Sequence, residues 1–135
     1  MARYEHLPIY REAFEMLVYL EKIVRNFSRY DKYTHGTALR QKASEIVSLV
    51  VLANATPRET RLQVLRELAL RIEEMKVLVR VCKELKAFHN FNSFVTLINH
   101  VVSLAMQNEG WMRSLQAGGK RPESLPASSS ANQGS

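Results

Sequence analysis

The chain has 135 residues, 46% hydrophobic and 24% charged, which are the values of a globular domain. No apolar run approaches the roughly 20 residues that cross a membrane, and the single Cys82 excludes an internal disulfide. The net charge of +6 favours an anionic partner, with nucleic acid as the first candidate. The length predicts one domain, and the lack of a long apolar run predicts a soluble one. Because the first residues also lack an apolar signal core, we expect a reducing cytoplasm.

The first predicted helix begins near Pro8, since proline suits the first helical turn, and it extends to about Phe27 or Ser28. Its apolar residues recur at three- and four-residue intervals, as one buried face requires. They are Ile9, Ala13, Phe14, Leu17, Leu20, Ile23 or Val24, and Phe27. Residues 29–36 are predicted to form a polar connector.

The second predicted helix follows Thr34, a plausible N-cap residue. Its apolar positions are Leu39, Ala43, Ile46, Val47, Val50 and Ala53. The run 46–53 is nearly all apolar, so it must be covered on more than one side, by bundle neighbours or by another subunit.

The third predicted helix opens at Thr56-Pro57-Arg58-Glu59, where a capping residue precedes a proline and a glutamate follows three residues after the cap. It extends to about Lys86, roughly 40 Å at the standard helical rise. Its core positions are Leu62, Leu65, Leu68, Ala69, Ile72, Met75, Val79, Cys82 and Leu85 or Lys86.

The fourth predicted helix carries Phe94, Leu97 or Ile98, Val101, Leu104 or Ala105, and Trp111, and ends near Arg113 after a weakening at Gly110. Between residues 92 and 107 it has no acidic or basic residue. One face is polar but uncharged, which is typical of surfaces buried between subunits, although an exposed neutral surface is equally compatible with it. The residues of this face are Asn92, Thr96, Asn99, Ser103 and Gln107.

Short connections between long helices favour antiparallel neighbours. The sequence therefore predicts an all-α fold, an antiparallel up-down-up-down four-helix bundle over residues 1–113. Residues 114–135, rich in Gly, Pro and Ser, are predicted to form a disordered tail.

Positive charge recurs at helical spacing in two rows, each of which places like charges on one face. The rows are Lys22, Arg25, Arg29 and Lys32 at the end of the first helix, and Lys76, Arg80 and Lys83 on the third. Such rows suit a polyanion, and the alternative is that they only solvate the outside of a bundle.

Aromatic residues lie beside these cations at the predicted helix ends. They are Tyr30, Tyr33, Phe88, His89 and Phe91. Interleaved rings and cations suit the stacking of unpaired bases, but the pattern favours the alternative, that the rings plug the ends of the bundle.

Catalytic signals are weak. His6, His35, His89 and His100 are scattered, with no i, i+4 pair and no metal-ligand cluster. Cys82 lies on an apolar stripe, as a buried residue does, and the adjacent Glu73 and Glu74 diverge around the helix instead of forming a dyad. No Gly-rich phosphate loop is present. We therefore expect no enzyme activity, no metal and no cofactor.

Three segments resemble one family, the accessory variability determinant (Avd) proteins of diversity-generating retroelements. They are Leu7-Pro8-Ile9-Tyr10-Arg11, Ile23-Val24-Arg25-Asn26-Phe27 with its continuation to Leu39-Arg40, and Lys83-Glu84-Leu85-Lys86-Ala87-Phe88. The resemblance covers about residues 4–113 and extends, more distantly, to the four-helix proteins encoded in ribosomal intervening sequences.

The resemblance implies a four-helix protomer that assembles into a homopentameric barrel. It further implies association with a reverse transcriptase and its template RNA, and support of mutagenic complementary-DNA synthesis without polymerase chemistry. Carried over by position, the basic residues that would bind RNA, DNA or the polymerase are Arg25, Arg29, Lys32, Arg40, Arg80, Lys83 and Lys86.

Two other functions compete with this one. One is a structural, RNA-associated protein encoded within a ribosomal intervening sequence. The other is an enzyme that uses His35 or His89, which would need an enclosed pocket. A reverse-transcriptase gene close to the gene for this chain would favour the retroelement accessory protein over both of these alternatives.

Overall fold

Four long helices account for most of the computed structural model, which describes residues 4–118. They are α1 (Pro8–Val24), α2 (Thr37–Ala55), α3 (Arg58–Glu84) and α4 (Phe91–Gly118), preceded by a short 3-10 helix at Tyr4–His6. No strand occurs between residues 4 and 118. The prediction of an all-helical fold with four long helices is therefore confirmed.

The four helices pack in a ring, in which α1 and α3 each contact both α2 and α4. Two polar contacts between helices show which ends of the helices lie close together. Arg40, near the start of α2, lies 3.0 Å from a carboxylate oxygen of Glu21, near the end of α1. Asn108, late in α4, donates from Nδ2 to the carbonyl oxygen of Leu65, early in α3, at 3.0 Å.

Most of the predicted apolar stripes form the core. Residues at the heart of each stripe are fully buried, among them Leu20, Ile46, Ile72 and Leu104. Two predicted core positions are wrong: Phe14 is 49% exposed and Leu85 is 54% exposed.

The error at Phe14 has a visible cause. Ala13 and Met16 occupy the inward face of α1 and are both fully buried. Phe14 therefore points outward, where its ring stacks on Tyr10 with a centroid separation of 6.0 Å.

The segment predicted as a polar connector is helical instead. A turn at Arg29–Asp31 is followed by a π-helical turn at Lys32–Gly36, which leads directly into α2. The N-cap is Ser28, whose hydroxyl accepts from the Asp31 N–H at 3.2 Å, and not Thr34, which donates to the Tyr30 carbonyl at 2.7 Å. Helix α1 correspondingly ends at Val24, before the predicted end at Phe27 or Ser28.

Gly36 lets this turn approach α1 closely. Its backbone is ordinary right-handed helix, so it is not needed for a special dihedral angle. A Cβ atom at this position would lie 2.9 Å from Cγ1 of Val24 and 3.3 Å from the Asp31 carbonyl oxygen. The absence of a side chain at Gly36 therefore allows the π-helical turn to pack against the end of α1.

The connection from α2 to α3 differs slightly from its prediction. Helix α3 begins at Arg58 with Pro57 in the capping position, while the Thr56 hydroxyl donates back to the Leu52 carbonyl at 2.6 Å. Thr56 thus closes α2 instead of opening α3. The Arg61 side chain lies across the same junction and donates to the carbonyl oxygens of residues 53, 54 and 56.

Helix α3 ends at Glu84, two residues before the predicted end. Lys86 has a φ of 61°, in the left-handed region. The Ala87 N–H reaches back to the Cys82 carbonyl at 2.9 Å, and the Lys86 N–H to that of Lys83 at 3.0 Å. This is the Schellman arrangement, which glycine usually completes.

Helix α4 is longer than predicted. It begins at Phe91, after Asn90 accepts from the Ser93 N–H at 2.8 Å, and it continues through Gly110 to Gly118. Leu115 is buried, so residues just beyond Arg113 belong to the bundle and not to the predicted tail. The rest of that predicted tail, residues 119–135, lies outside the described residues.

Candidate nucleic-acid interface

Aromatic packing brings two connections together at one end of the bundle. The ring of Phe27, after α1, meets the ring of Phe88, between α3 and α4, with centroids 5.5 Å apart. Phe88 also packs against Phe94 at 6.0 Å. The turn at residues 29–36 and the connection at residues 85–90 therefore lie at the same end.

This end gathers five of the nine cations that the sequence predicts as binding residues. We name it the basic end and define it by Arg25, Arg29, Lys32, Lys83 and Lys86. All of them except the half-buried Lys32 are exposed. Within residues 4–118, only Lys83 among the five has a carboxylate within 4.0 Å.

The remaining four predicted cations lie about one or two helical turns farther from this end. Arg40 and Lys76 are neutralised by partners, Glu21 at 3.0 Å and Glu73 at 2.9 Å respectively. Lys22 and Arg80 are exposed on α1 and α3, which lie across the bundle from each other. The two predicted rows are therefore not one stripe, and their members come together only at the basic end.

Acidic residues offset little of this charge. Asp31 lies 3.0 Å from Nδ1 of His35 and accepts a hydrogen bond from the Ser28 hydroxyl at 3.0 Å. Glu84 is 3.5 Å from the Lys83 ammonium. The basic end therefore presents four cations free of ion pairs among the described residues, against two acidic groups that already have partners.

The aromatic residues divide between two roles. Phe88 is half-buried against Phe27, as a plug would be. Tyr30, Tyr33 and Phe91 are 71%, 70% and 66% exposed, so the interpretation of these rings as plugs is wrong for them. Phe27, Phe88 and Phe94 fill the end, which leaves the other three rings at the surface.

Lys86 occupies a costly backbone conformation. A left-handed residue other than glycine is disfavoured by roughly 1–2 kcal/mol, because its Cβ crowds the next carbonyl oxygen. Strained positions of this kind concentrate at functional sites. At this C-terminal cap glycine would relieve the strain, but it would supply no charge.

Acidic residues on α3 form ion pairs in place of an acid/base dyad. The Glu74 carboxylate accepts from the Lys42 ammonium at 2.7 Å and from the Arg71 guanidinium at 2.9 Å. These hydrogen bonds lower the pKa of Glu74 below its ordinary value. Glu73 pairs with Lys76 instead. The two carboxylates therefore act separately: Glu74 joins α3 to α2 through Lys42, and Glu73 forms a pair within α3.

Cys82 is fully buried in the core. Burial, with a smaller contribution from the negative charge of Asp31, raises the pKa of the thiol to about 11. The group stays protonated at neutral pH, so it lacks the thiolate character that a nucleophile requires.

A polar cluster lies between α1 and α4, and the sequence patterns do not predict it. Nδ1 of His100 lies 2.6 Å from Glu12, and the Ser103 hydroxyl donates to the other oxygen of the same carboxylate at 3.0 Å. Gln107 donates to the Ser103 hydroxyl at 3.1 Å. Because the serine bonds to the carboxylate and not to the imidazole, this is not a nucleophile activated by histidine.

The same contacts revise the uncharged face of α4. Ser103 turns toward α1 and Gln107 is half-buried beside it, while Asn99 stays exposed. The outer surface of the helix is completed by Val102, 38% exposed, and Met106, 67% exposed. This surface is neutral and partly apolar, as an interface between subunits is.

Between residues 4 and 118, no group of three or more His, Cys, Asp or Glu side chains is placed to hold a metal ion. No helix in this part of the chain is long and apolar enough to cross a membrane. No protein-family model matches the chain, and no curated protein matches it in sequence.

Proposed function

We propose that this protein is a noncatalytic, nucleic-acid-binding accessory subunit of a reverse transcriptase, of the kind found in diversity-generating retroelements. The basic end binds template RNA or complementary DNA in the cytoplasm, and the polymerase performs the chemistry. The segments that resemble Avd proteins support this proposal, since two of them include cations of the basic end.

One observation carries the proposal: Arg25, Arg29, Lys32 and Lys86 converge on one end without ion-pair partners among residues 4–118. Of the other predicted cations, Arg40 and Lys76 are paired with carboxylates, so the basic end is where unpaired cations are concentrated. Unpaired cations held close together repel one another, and a phosphate backbone relieves that repulsion.

The proposal includes the arrangement and assembly of the helices. Contacts of Arg40 with Glu21, and of Asn108 with Leu65, join the start of one helix to the end of another and so support an antiparallel up-down-up-down order. The neutral outer surface of α4 supports assembly of several copies, and the resemblance to Avd proteins sets their number at five.

The test is fluorescence anisotropy with a labelled RNA over a range of salt concentrations. The double variant Arg29→Ala/Lys32→Ala removes two cations of the basic end. If both contact phosphates of a single strand, the log-log salt slope falls by about 1.4, which corresponds to roughly 25-fold weaker binding near 0.1 M salt.

The matched control is Arg58→Ala/Arg66→Ala, which removes the same charge near the start of α3. Both residues are exposed and free of ion pairs among the described residues. Arg58 lies roughly 40 Å and Arg66 roughly 27 Å from the other end of that helix. Equal losses in the two variants would show that only net charge matters. Retained RNA binding with lost polymerase association would assign the basic end to protein docking.

A further inference from the structure

Three rings at the basic end are mostly exposed and take little part in the packing of the described residues. Tyr30 meets only the edge of His35, at 6.2 Å between centroids, and Phe91 touches Phe94 on one side at 5.6 Å. Tyr33 has no aromatic partner among the described residues and is 70% exposed. Aromatic rings left in water forgo the stabilisation that burial gives them, so their position requires another explanation.

Two of the rings form a row beside a row of cations. Tyr30 and Tyr33 are three residues apart on one continuous helical run, less than a full turn, and both are exposed. Arg29 and Lys32 have the same spacing, displaced by one residue. Successive residues of a helix diverge by about 100°, so the cations run beside the rings around the turn, as phosphates run beside bases along a strand.

The turn that bears this row is held firmly in place. Ser28 caps it, Thr34 bonds back to the Tyr30 carbonyl, and Asp31 contacts His35. Gly36 packs it against the end of α1. Because the platform is already ordered, binding costs little conformational entropy in the protein.

We propose that Tyr30, Tyr33 and Phe91 stack on unpaired bases, so that the basic end selects single-stranded nucleic acid over a duplex. Bases in a duplex are stacked on each other and offer no free faces, whereas a single strand exposes them. Stacking tolerates any base sequence, which suits a protein that follows a template along its length. The inference rests on the proposed function and names the form of nucleic acid that the site takes.

The experiment compares a labelled single strand of roughly 12 nucleotides with the same strand annealed to its complement. The wild-type protein binds the single strand more tightly. The variant Tyr30→Ala/Tyr33→Ala weakens single-strand binding at least about 25-fold, or about fivefold for each ring. Binding to the duplex and the salt slope stay unchanged, because every cation remains.

Two control variants isolate the rings. Tyr30→Phe/Tyr33→Phe keeps the ring faces and retains wild-type binding. Phe14→Ala removes a half-exposed ring from the outer face of α1 and leaves binding unchanged. Phe91→Ala, on a different helix, weakens single-strand binding about fivefold. If the double alanine variant loses its helical circular dichroism, this single variant tests the stacking proposal by itself.

Each other outcome has a definite meaning. Unchanged single-strand binding after removal of the rings overturns the inference, while the proposed function stands if Arg29→Ala/Lys32→Ala still weakens binding. Equal losses for single strand and duplex also overturn it. Loss of polymerase association alone assigns the rings to a protein partner. Failure of the wild-type protein to bind either nucleic acid removes the proposed function itself.

Discussion

Replacing Lys86 by glycine separates the stability of the fold from its function. Lys86 holds a φ of 61°, which costs a residue with a Cβ roughly 1–2 kcal/mol. Glycine avoids that cost, but its greater freedom in the unfolded chain offsets about 0.5–1 kcal/mol of the gain in stability. The expected net stabilisation is roughly 0.5–1 kcal/mol, a rise of about 2–4 °C in Tm for a domain of this size.

The same substitution removes a free cation from the basic end. If Lys86 contacts a phosphate of a single strand, Lys86→Gly lowers the salt slope by about 0.7 and weakens RNA binding roughly fivefold near 0.1 M salt. Thermal unfolding followed by circular dichroism gives the first quantity, and anisotropy titrations give the second. The variant is therefore expected to be more stable and a weaker binder.

Two controls separate the backbone from the charge. Lys86→Arg keeps both the charge and the strain, so it leaves Tm and affinity near their wild-type values. Lys86→Asn tolerates the left-handed conformation but lacks the charge, so it weakens binding without a loss of stability. A glycine variant that binds RNA as tightly as the wild type would refute the idea that the strain is kept for binding. A lowered Tm would refute the account of the strain itself.

Four further outcomes follow from the structure. Gly36→Ala destabilises by about 1 kcal/mol or more in denaturant titrations, because its methyl group has no room, whereas Gly110→Ala, with nothing within 4 Å, stabilises by about 0.5–1 kcal/mol. The pKa of Cys82 is raised from 9.0 to about 11, so its thiol does not change the unfolding free energy below pH 9. Between pH 9 and pH 11 the unfolding free energy falls, because the thiol ionises in the unfolded chain first. Arg61→Ala costs roughly 1.5–3 kcal/mol in the same titrations, since the guanidinium donates to the last carbonyls of α2. Light scattering of the wild type gives a mass several times 15.5 kDa, and Met106→Glu reduces it by placing a charge on the neutral face of α4.

Helical periodicity predicts the long helices and most of the core, because a helix that packs on one side must repeat apolar residues every three or four positions. The stripe through Leu39, Ala43 and Ile46 shows this, since all three are fully buried. The period alone does not decide between adjacent apolar residues such as Ala13 and Phe14. Only the packing of the neighbouring helices selects the smaller one.

The turn at residues 29–36 shows where sequence patterns fail. It has no apolar stripe, so periodicity misses it, and the close approach of Gly36 to Val24 in another helix is visible only in the fold. A local signal was present: Ser28 and Asp31 have the spacing of a capping box, and the structure pairs them.

The candidate site is predictable only in part, since spacing places cations on helix faces but does not show which of them are neutralised. The pair Glu73 and Lys76 is visible as an i, i+3 spacing. The pair Glu21 and Arg40 joins two helices, so only the fold reveals it. Exposure of Tyr30 likewise depends on how Phe27 and its neighbours fill the end of the bundle.

The most direct test of the central claim is to locate bound RNA by photochemical cross-linking and to identify the linked peptides by mass spectrometry. The full chain is irradiated with an RNA containing 4-thiouridine, with an excess of unlabelled RNA as the competition control. We expect cross-links that the unlabelled RNA suppresses within residues 25–36 and 83–91, where rings and free cations lie together. Cross-links concentrated near residues 54–66, at the far end of α3, would contradict the claim.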